Sequence, residues 1–313
     1  MCGTGHIGTF ITNRSGHQTK FNMSTLNNTT SSNRPTLGGG DIGKSYFETD
    51  TNNILVWDGS SWQIYQSDGV AYPWTANAYS VSYDGTDDFH TIVLDGRSTG
   101  GVLASNDTDI EMTFSFWFKP TDGVIFTWTH LPGTATATPT IQLTPTSSGG
   151  TTYKLYLDLN YRHTFSNSEI VPSAWNHFML TRSKGTNVWQ VFCNGNSTPV
   201  VSYNDGGSLG DRSSMQNLYI SRGYWGYGQH IFDHVAFWNT DKSSNLAAIY
   251  GSSTPGSGSP SDISSLLPYG WWRMGDNNGA SNGGAAGTIT NIGSTAPDMG
   301  VGGGSPTYST DIK

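Results

Sequence analysis

Charge is scarce in this chain. Only 12% of its 313 residues are Asp, Glu, Lys or Arg, about half the share usual in a soluble domain. The 15 Lys and Arg residues form no run, and the formal net charge is −8. Binding to nucleic acid needs clustered cations to neutralise phosphates, so that class is disfavoured. Cysteine is rarer still: Cys2 and Cys193 are too few for a disulfide framework. No apolar run approaches the roughly 18 residues that span a membrane. The first residues, MCGTGHIGTFITNRSGH, carry no apolar stretch of the secretory-leader kind. Helix formers such as Ala, Glu, Lys and Leu are sparse, which excludes a helical bundle or coiled coil.

What fills the chain instead is 40 Gly, abundant Ser, Thr and Asn, and a heavy aromatic load of 11 Trp, 15 Tyr and 13 Phe. Such a composition can bury a core. It favours strands and turns, so an all-β protein with polar loops is expected.

The alternation supports this. Met112, Phe114, Phe116 and Phe118 share one face of an extended run, with Thr113, Ser115, Trp117 and Lys119 on the other. Tyr153, Leu155, Leu157 and Leu159 alternate in the same way. Residues 175–182 and 187–193 read as a hairpin, and Asn194-Gly195 turns the chain into a third strand over 197–203. Further strands are expected over 218–221 and 231–238, with one short helix over 243–251 that starts on Ser and stops at Gly251.

Four segments follow. Residues 1–44 read as an extended arm with no core of its own, either flexible or ordered only against a partner chain. Residues 45–72 form a small β module with strands near 45–49, 53–57 and 62–65, joined by Asn52-Asn53 and Asp58-Gly59 turns. Residues 73–250 carry the main sandwich, and 251–313 a Gly/Ser/Pro linker and tail.

Five segments, SVSYDGTDDFH (80–90), MTFSFWFKP (112–120), SAWNHFMLTR (173–182), VFCNGN (191–196) and FDHVAFWN (232–239), occur in order, followed by NLAAIY. Together they resemble the laminin-G-like, concanavalin A-like jelly-roll family. The resemblance implies an antiparallel two-sheet sandwich that binds glycans or proteins and sometimes holds calcium. Residues 34–65, RPTLGGGDIGKSYFETDTNNILVWDGSSWQIY, are similar to a short module of bacteriophage virion proteins. WWRMGDNNG, TITN and STDIK near the end are similar to laminin-G-bearing phage structural proteins. These likenesses imply a virion component: a capsid decoration or head fibre, with a tail fibre or host-glycan adhesin as the alternative. Its expected partners are other virion proteins, copies of itself (a trimer by analogy with phage appendages) and host-surface glycans. Folding in a reducing cytoplasm before release in a particle fits the missing leader and disulfides.

Jelly rolls also host glycoside hydrolases, which place two carboxylates across the scissile bond. This chain has three Glu, at 48, 111 and 169, and none stands in an E-x-D-x-E pattern. No G-x-S-x-G elbow, P-loop or HExxH is present. A polysaccharide hydrolase is therefore disfavoured, and no catalytic residue is assigned.

Two binding hypotheses remain. Asp84, Asp87 and Asp88 concentrate carboxylates beside Gly85, and hard oxygen ligands suit calcium. The family resemblance implies Asp84 and Asp88 as ligands, with help from Asp233 on a late strand. An Asx turn accounts for the same loop. The Gly-spaced rings Tyr224, Trp225 and Tyr227 could stack on sugars, with Gln229 and His230 as hydrogen-bonding partners. Packing of those rings under the loop or on a neighbouring subunit is the competing reading.

Overall fold

The computed structural model describes residues 9–12, 18–21, 27–30, 33–48, 53–57, 59–65, 79–93, 111–129, 141–145, 152–157, 160–206, 217–223, 226–275, 281–294 and 296–313. The chain divides into two compact units, Met1–Ala76 and Asn77–Lys313.

In the first unit β1 (Thr9–Thr12) pairs antiparallel with β2 (Gln18–Phe21). A four-stranded sheet contains β3 (Asn27–Thr29), β4 (Ser45–Glu48), β5 (Asn53–Trp57) and β6 (Trp62–Tyr65) in that order. The three expected strands of the module fall where the turn dipeptides place them. The boundary at residue 44 does not hold, because β3 joins β4 in parallel and the Trp57 indole N–H donates to the Gly38 carbonyl at 2.9 Å. The buried indole needs an acceptor, and the preceding segment supplies it. Residues 27–42 are thus part of the module and not an arm.

The second unit is an all-β sandwich of two antiparallel sheets. Its strands are β7 (Ser80–Asp84), β8 (Phe89–Val93), β9 (Met112–Gly123), β10 (Phe126–Thr129), β11 (Ile141–Pro145), β12 (Tyr153–Leu157), β13 (Asn160–Thr164), β14 (Asn176–Ser183), β15 (Val188–Cys193), β16 (Val201–Asn204), β17 (Asn217–Ile220), β18 (Arg222–Gly223), β19 (Gly226–Trp238), β20 (Gly270–Trp272), β21 (Gly300–Gly303) and β22 (Thr307–Ser309). One sheet runs β13-β12-β11-β10-β17-β8-β21, and the other β16-β15-β14-β9-β19-β7-β22 with β18 and β20 paired to β19.

The alternating face of β9 builds the core. Phe116 is fully buried, and the rings of Phe114, Phe118, Phe126, Phe178 and Phe232 all lie within 5.5 Å of it, centroid to centroid. Each such ring contributes roughly 1.5–3 kcal/mol by leaving water. The opposite face of β9 is also covered, because Thr113, Ser115 and Trp117 are all buried. The Thr113 hydroxyl donates to the Thr240 carbonyl at 2.9 Å and accepts from the Lys242 N–H at 2.8 Å. The helix that follows lies close to its expected place: one tight turn, then α1 (Leu246–Tyr250), ended by Gly251 at φ 75. Its entry is capped by Asp241, whose Oδ1 accepts from the Ser243 N–H at 2.8 Å, and not by a Ser side chain.

Residues 251–313 are not a separate linker and tail. β20 pairs with β19, β21 with β8 and β22 with β7, so this segment extends both sheets. Trp272, Met274, Ile289, Met299 and Tyr308 lie in the same core. Gly302 crosses the Phe89 ring so closely that an added Cβ would come within 2.1 Å of it. A glycine-rich sequence that reads as a linker is here what lets an edge strand lie flat on an aromatic ring.

Candidate functional site

The turn between β7 and β8 passes from one sheet to the other, and it holds the acidic cluster. One oxygen from each of Asp84, Asp87 and Asp88 lies within 4.8 Å of the others. Asp84 Oδ1 accepts from the Thr86 N–H at 2.7 Å, which is an Asx turn. Asp88 is buried, and its two oxygens accept from the N–H groups of Asp84 (3.1 Å) and Ser305 (2.5 Å). Burial pushes the Asp88 carboxyl above its ordinary value, and these two bonds oppose that.

Asp84 Oδ1 and both Asp88 oxygens thus each accept from a backbone N–H, which ties the loop's carboxylates to the turn itself. Asp233 does not join them. It sits opposite Trp117 in the middle of the nine-stranded sheet, buried, while Gln229, four residues earlier on β19, is the residue opposite Asp84.

The same end of the sandwich carries part of the expected aromatic site. β18 and β19 form a hairpin in which Arg222 pairs with Tyr227 and Gly223 with Gly226. Tyr224 and Trp225 lie outside the described residues. The Tyr227 ring is half-buried, 6.0 Å from Phe89. The Arg222 guanidinium lies over Phe89 at 4.4 Å, with Tyr219 and Tyr227 each at 5.7 Å. Gln229 is exposed beside Asp84. Phe89 and Arg222 were not singled out in the sequence, although the Arg immediately before the Gly-spaced rings is the signal that could have found them.

His230 is not available to a ligand. It is 1% exposed, and its Nε2–H donates to the Val124 carbonyl at 3.1 Å. Burial holds its pKa at about 3, so the ring is neutral. The reason is strand phase: Gln229 points outward and its neighbour therefore inward. His234 lies within the register shift between Asp233 and Ala236 and has φ 46. It is buried with its Nδ1 accepting from the Trp271 indole at 3.4 Å, and burial with the nearby Arg273 charge lowers its pKa.

One pairing was invisible in the sequence. Ser115 and His177, on adjacent strands, bring Oγ and Nε2 to 2.8 Å. A hydroxyl beside an imidazole is nucleophile-and-base geometry. Both groups are buried beneath Trp117 and Tyr250, however, and among the described residues the His177 Nδ1 has no hydrogen-bond partner to orient the ring.

The sandwich is an antiparallel two-sheet jelly roll. No protein-family profile matches the chain, and no curated protein matches it. Solved structures similar to it include a putative carbohydrate-binding protein from Bacteroides ovatus, at 12% identity and TM-score 0.48 over 86% of this chain and 69% of that one. A SAP-like pentraxin from Limulus polyphemus aligns at 13% identity and TM-score 0.38 over 56% and 83%. The LG4-5 domains of mouse laminin alpha1 align at 10% identity and TM-score 0.36 over 61% and 50%.

Proposed function

We infer that this chain is a non-enzymatic structural protein displayed on a bacteriophage particle, as a capsid decoration or head fibre, and that its jelly roll binds glycans at the end carrying Tyr227 and Gln229. The observation that carries the glycan reading is the convergence at that end. An exposed amide, a half-buried phenol, a guanidinium and the carboxylates of Asp84 and Asp87 surround one aromatic cluster. Rings with neighbouring hydrogen-bonding groups are what a pyranose requires: apolar C–H faces stack, and hydroxyls find donors and acceptors.

The particle assignment rests on the likeness of residues 34–65 to a virion module. Those residues belong to a unit with its own four-stranded sheet, to which we assign attachment to other virion proteins. A homo-oligomer, a trimer by analogy, is part of the proposal. A non-enzymatic role is supported by the engagement of Glu169 with Ser166 and His163 and by the burial of the Ser115–His177 pair.

The test is a glycan array probed with the wild-type chain and with Tyr227→Ala and Gln229→Ala. Binding that falls at least tenfold in both variants is expected. Binding that survives both would overturn the site. Mass spectrometry of purified particles checks the particle assignment.

A further inference from the structure

A cavity of about 430 Å³ opens on the outer side of the nine-stranded sheet beside α1. It lies within the range of small-molecule sites, roughly 300–1,000 Å³. Its aromatic lining is Trp117, Tyr250 and Trp175, with Cys193, Glu169 and Lys313 among the other residues around it. The Trp117 and Tyr250 rings stack at 5.2 Å and 15°. Above the Trp117 ring, 5.3 Å from its centroid, stands the Lys313 ammonium. Among the described residues no carboxylate lies within ion-pairing distance of that ammonium.

Glu169 is the carboxylate of the cavity lining. Partial burial pushes its carboxyl up, but the Ser166 N–H and O–H bonds at 2.7 and 2.9 Å and the nearby His163 outweigh this and leave it below its ordinary value. The Cys193 thiol in the same lining is raised first by burial and then by the Glu169 charge. A cation held over an indole face, with an ionised carboxylate in the surrounding lining, is how proteins recognise ammonium groups. The space is also far larger than one lysine head needs.

We propose that this cavity is an alkylammonium-binding site whose Trp117 face is at present covered by the chain's own Lys313 ammonium, and that an external ligand carrying a quaternary or primary ammonium binds there by displacing that side chain. The site is separate from the loop end assigned to glycans and does not depend on it.

The experiment titrates choline, and its neutral isostere 3,3-dimethylbutan-1-ol, into the full chain by saturation-transfer NMR and calorimetry. Saturable choline binding is expected, with the neutral isostere at least tenfold weaker. Lys313→Ala removes the internal competitor and should tighten choline binding about threefold or more. Glu169→Gln, which keeps the shape and removes the charge, should weaken it by a similar factor. Equal binding of the two probes overturns the proposal, as does an affinity unchanged in Lys313→Ala. So does the absence of saturable choline binding in both wild type and Lys313→Ala, including the case in which a hexose binds there instead. Because Lys313 is exposed, that variant keeps the test decisive even if Glu169→Gln is poorly folded.

Discussion

Trp117 and Tyr250 stack 15° from parallel with centroids 5.2 Å apart, joining the middle of β9 to the end of α1. The contact seals the outer face of the sheet over Ser115 and His177, and it fixes where the chain must turn after β15. Residues far apart in sequence meet here because a short helix has little stability of its own and must bury its apolar side on something.

Gly195 is where that packing is tested most sharply. It follows Asn194 in the turn after β15, has φ 75, and a Cβ added to it would come within 2.2 Å of the Tyr250 ring. Gly195→Ala combines a disfavoured backbone with a clash against a buried aromatic. A loss of about 2–4 kcal/mol is expected in chemical denaturation. A change below about 1 kcal/mol would mean that Tyr250 can withdraw from Trp117.

Acid stability should be governed by buried histidines. Burial lowers His90 to about 4 and His177 and His230 to about 3. The Tyr83 hydroxyl lies 2.9 Å from His90 Nδ1, and the Gly287 carbonyl takes the proton on Nε2 at 3.0 Å, so His90 is held as one neutral tautomer. In the unfolded chain each ring takes a proton near pH 6.5, so the unfolded state binds more protons throughout the interval below. Stability is therefore full above pH 6.5 and is lost as the pH falls through it, by about 2 kcal/mol per histidine at pH 5. Thermal unfolding followed from pH 7.5 to 4.5 checks this, and a His177→Asn variant should show a shallower acid limb.

The Arg182–Asp205 pair is the second buried commitment. Both side chains are fully buried; Arg182 donates to the two Asp205 oxygens at 2.8 and 3.1 Å, and the Trp189 indole donates to the same carboxylate at 2.9 Å. Asp205→Ala strands a guanidinium and an indole N–H at once. About 3–5 kcal/mol should be lost. The joint replacement of Arg182 and Asp205 by Met and Leu should cost clearly less than that single change, as read from urea midpoints.

Chelation should leave the sandwich unchanged. The loop oxygens of Asp84 and Asp88 are tied to N–H groups of the chain itself. The expected melting temperature is the same in excess EDTA and after calcium is restored. A reproducible rise with calcium would show that the loop holds the ion.

Much of the architecture could be read before any coordinates. The phase of Met112, Phe114, Phe116 and Phe118 fixed an inner face, because successive side chains on a strand point to opposite sides. The Asn-Gly dipeptide at 194–195 placed a turn because its backbone tolerates positive φ. Those rules act over two to four residues, so the sequence by itself determined strands, turns and the all-β class.

Only the tertiary structure decided what lies on each strand's second face and which segments close each sheet. His230 is a buried neutral ring instead of a sugar contact because β19 packs against β9 along its length. Asp233 is separated from Asp84 by the register of β19 on β7. Gly270–Trp272, Gly300–Gly303 and Thr307–Ser309, in a glycine-rich and aperiodic stretch, became strands because they pair with β19, β8 and β7 of the two sheets. The cavity at Trp117 is assembled from segments as distant as Glu169, Tyr250 and Lys313. Such long-range pairings are settled by which apolar surfaces can be buried together, and no short-range pattern encodes that choice.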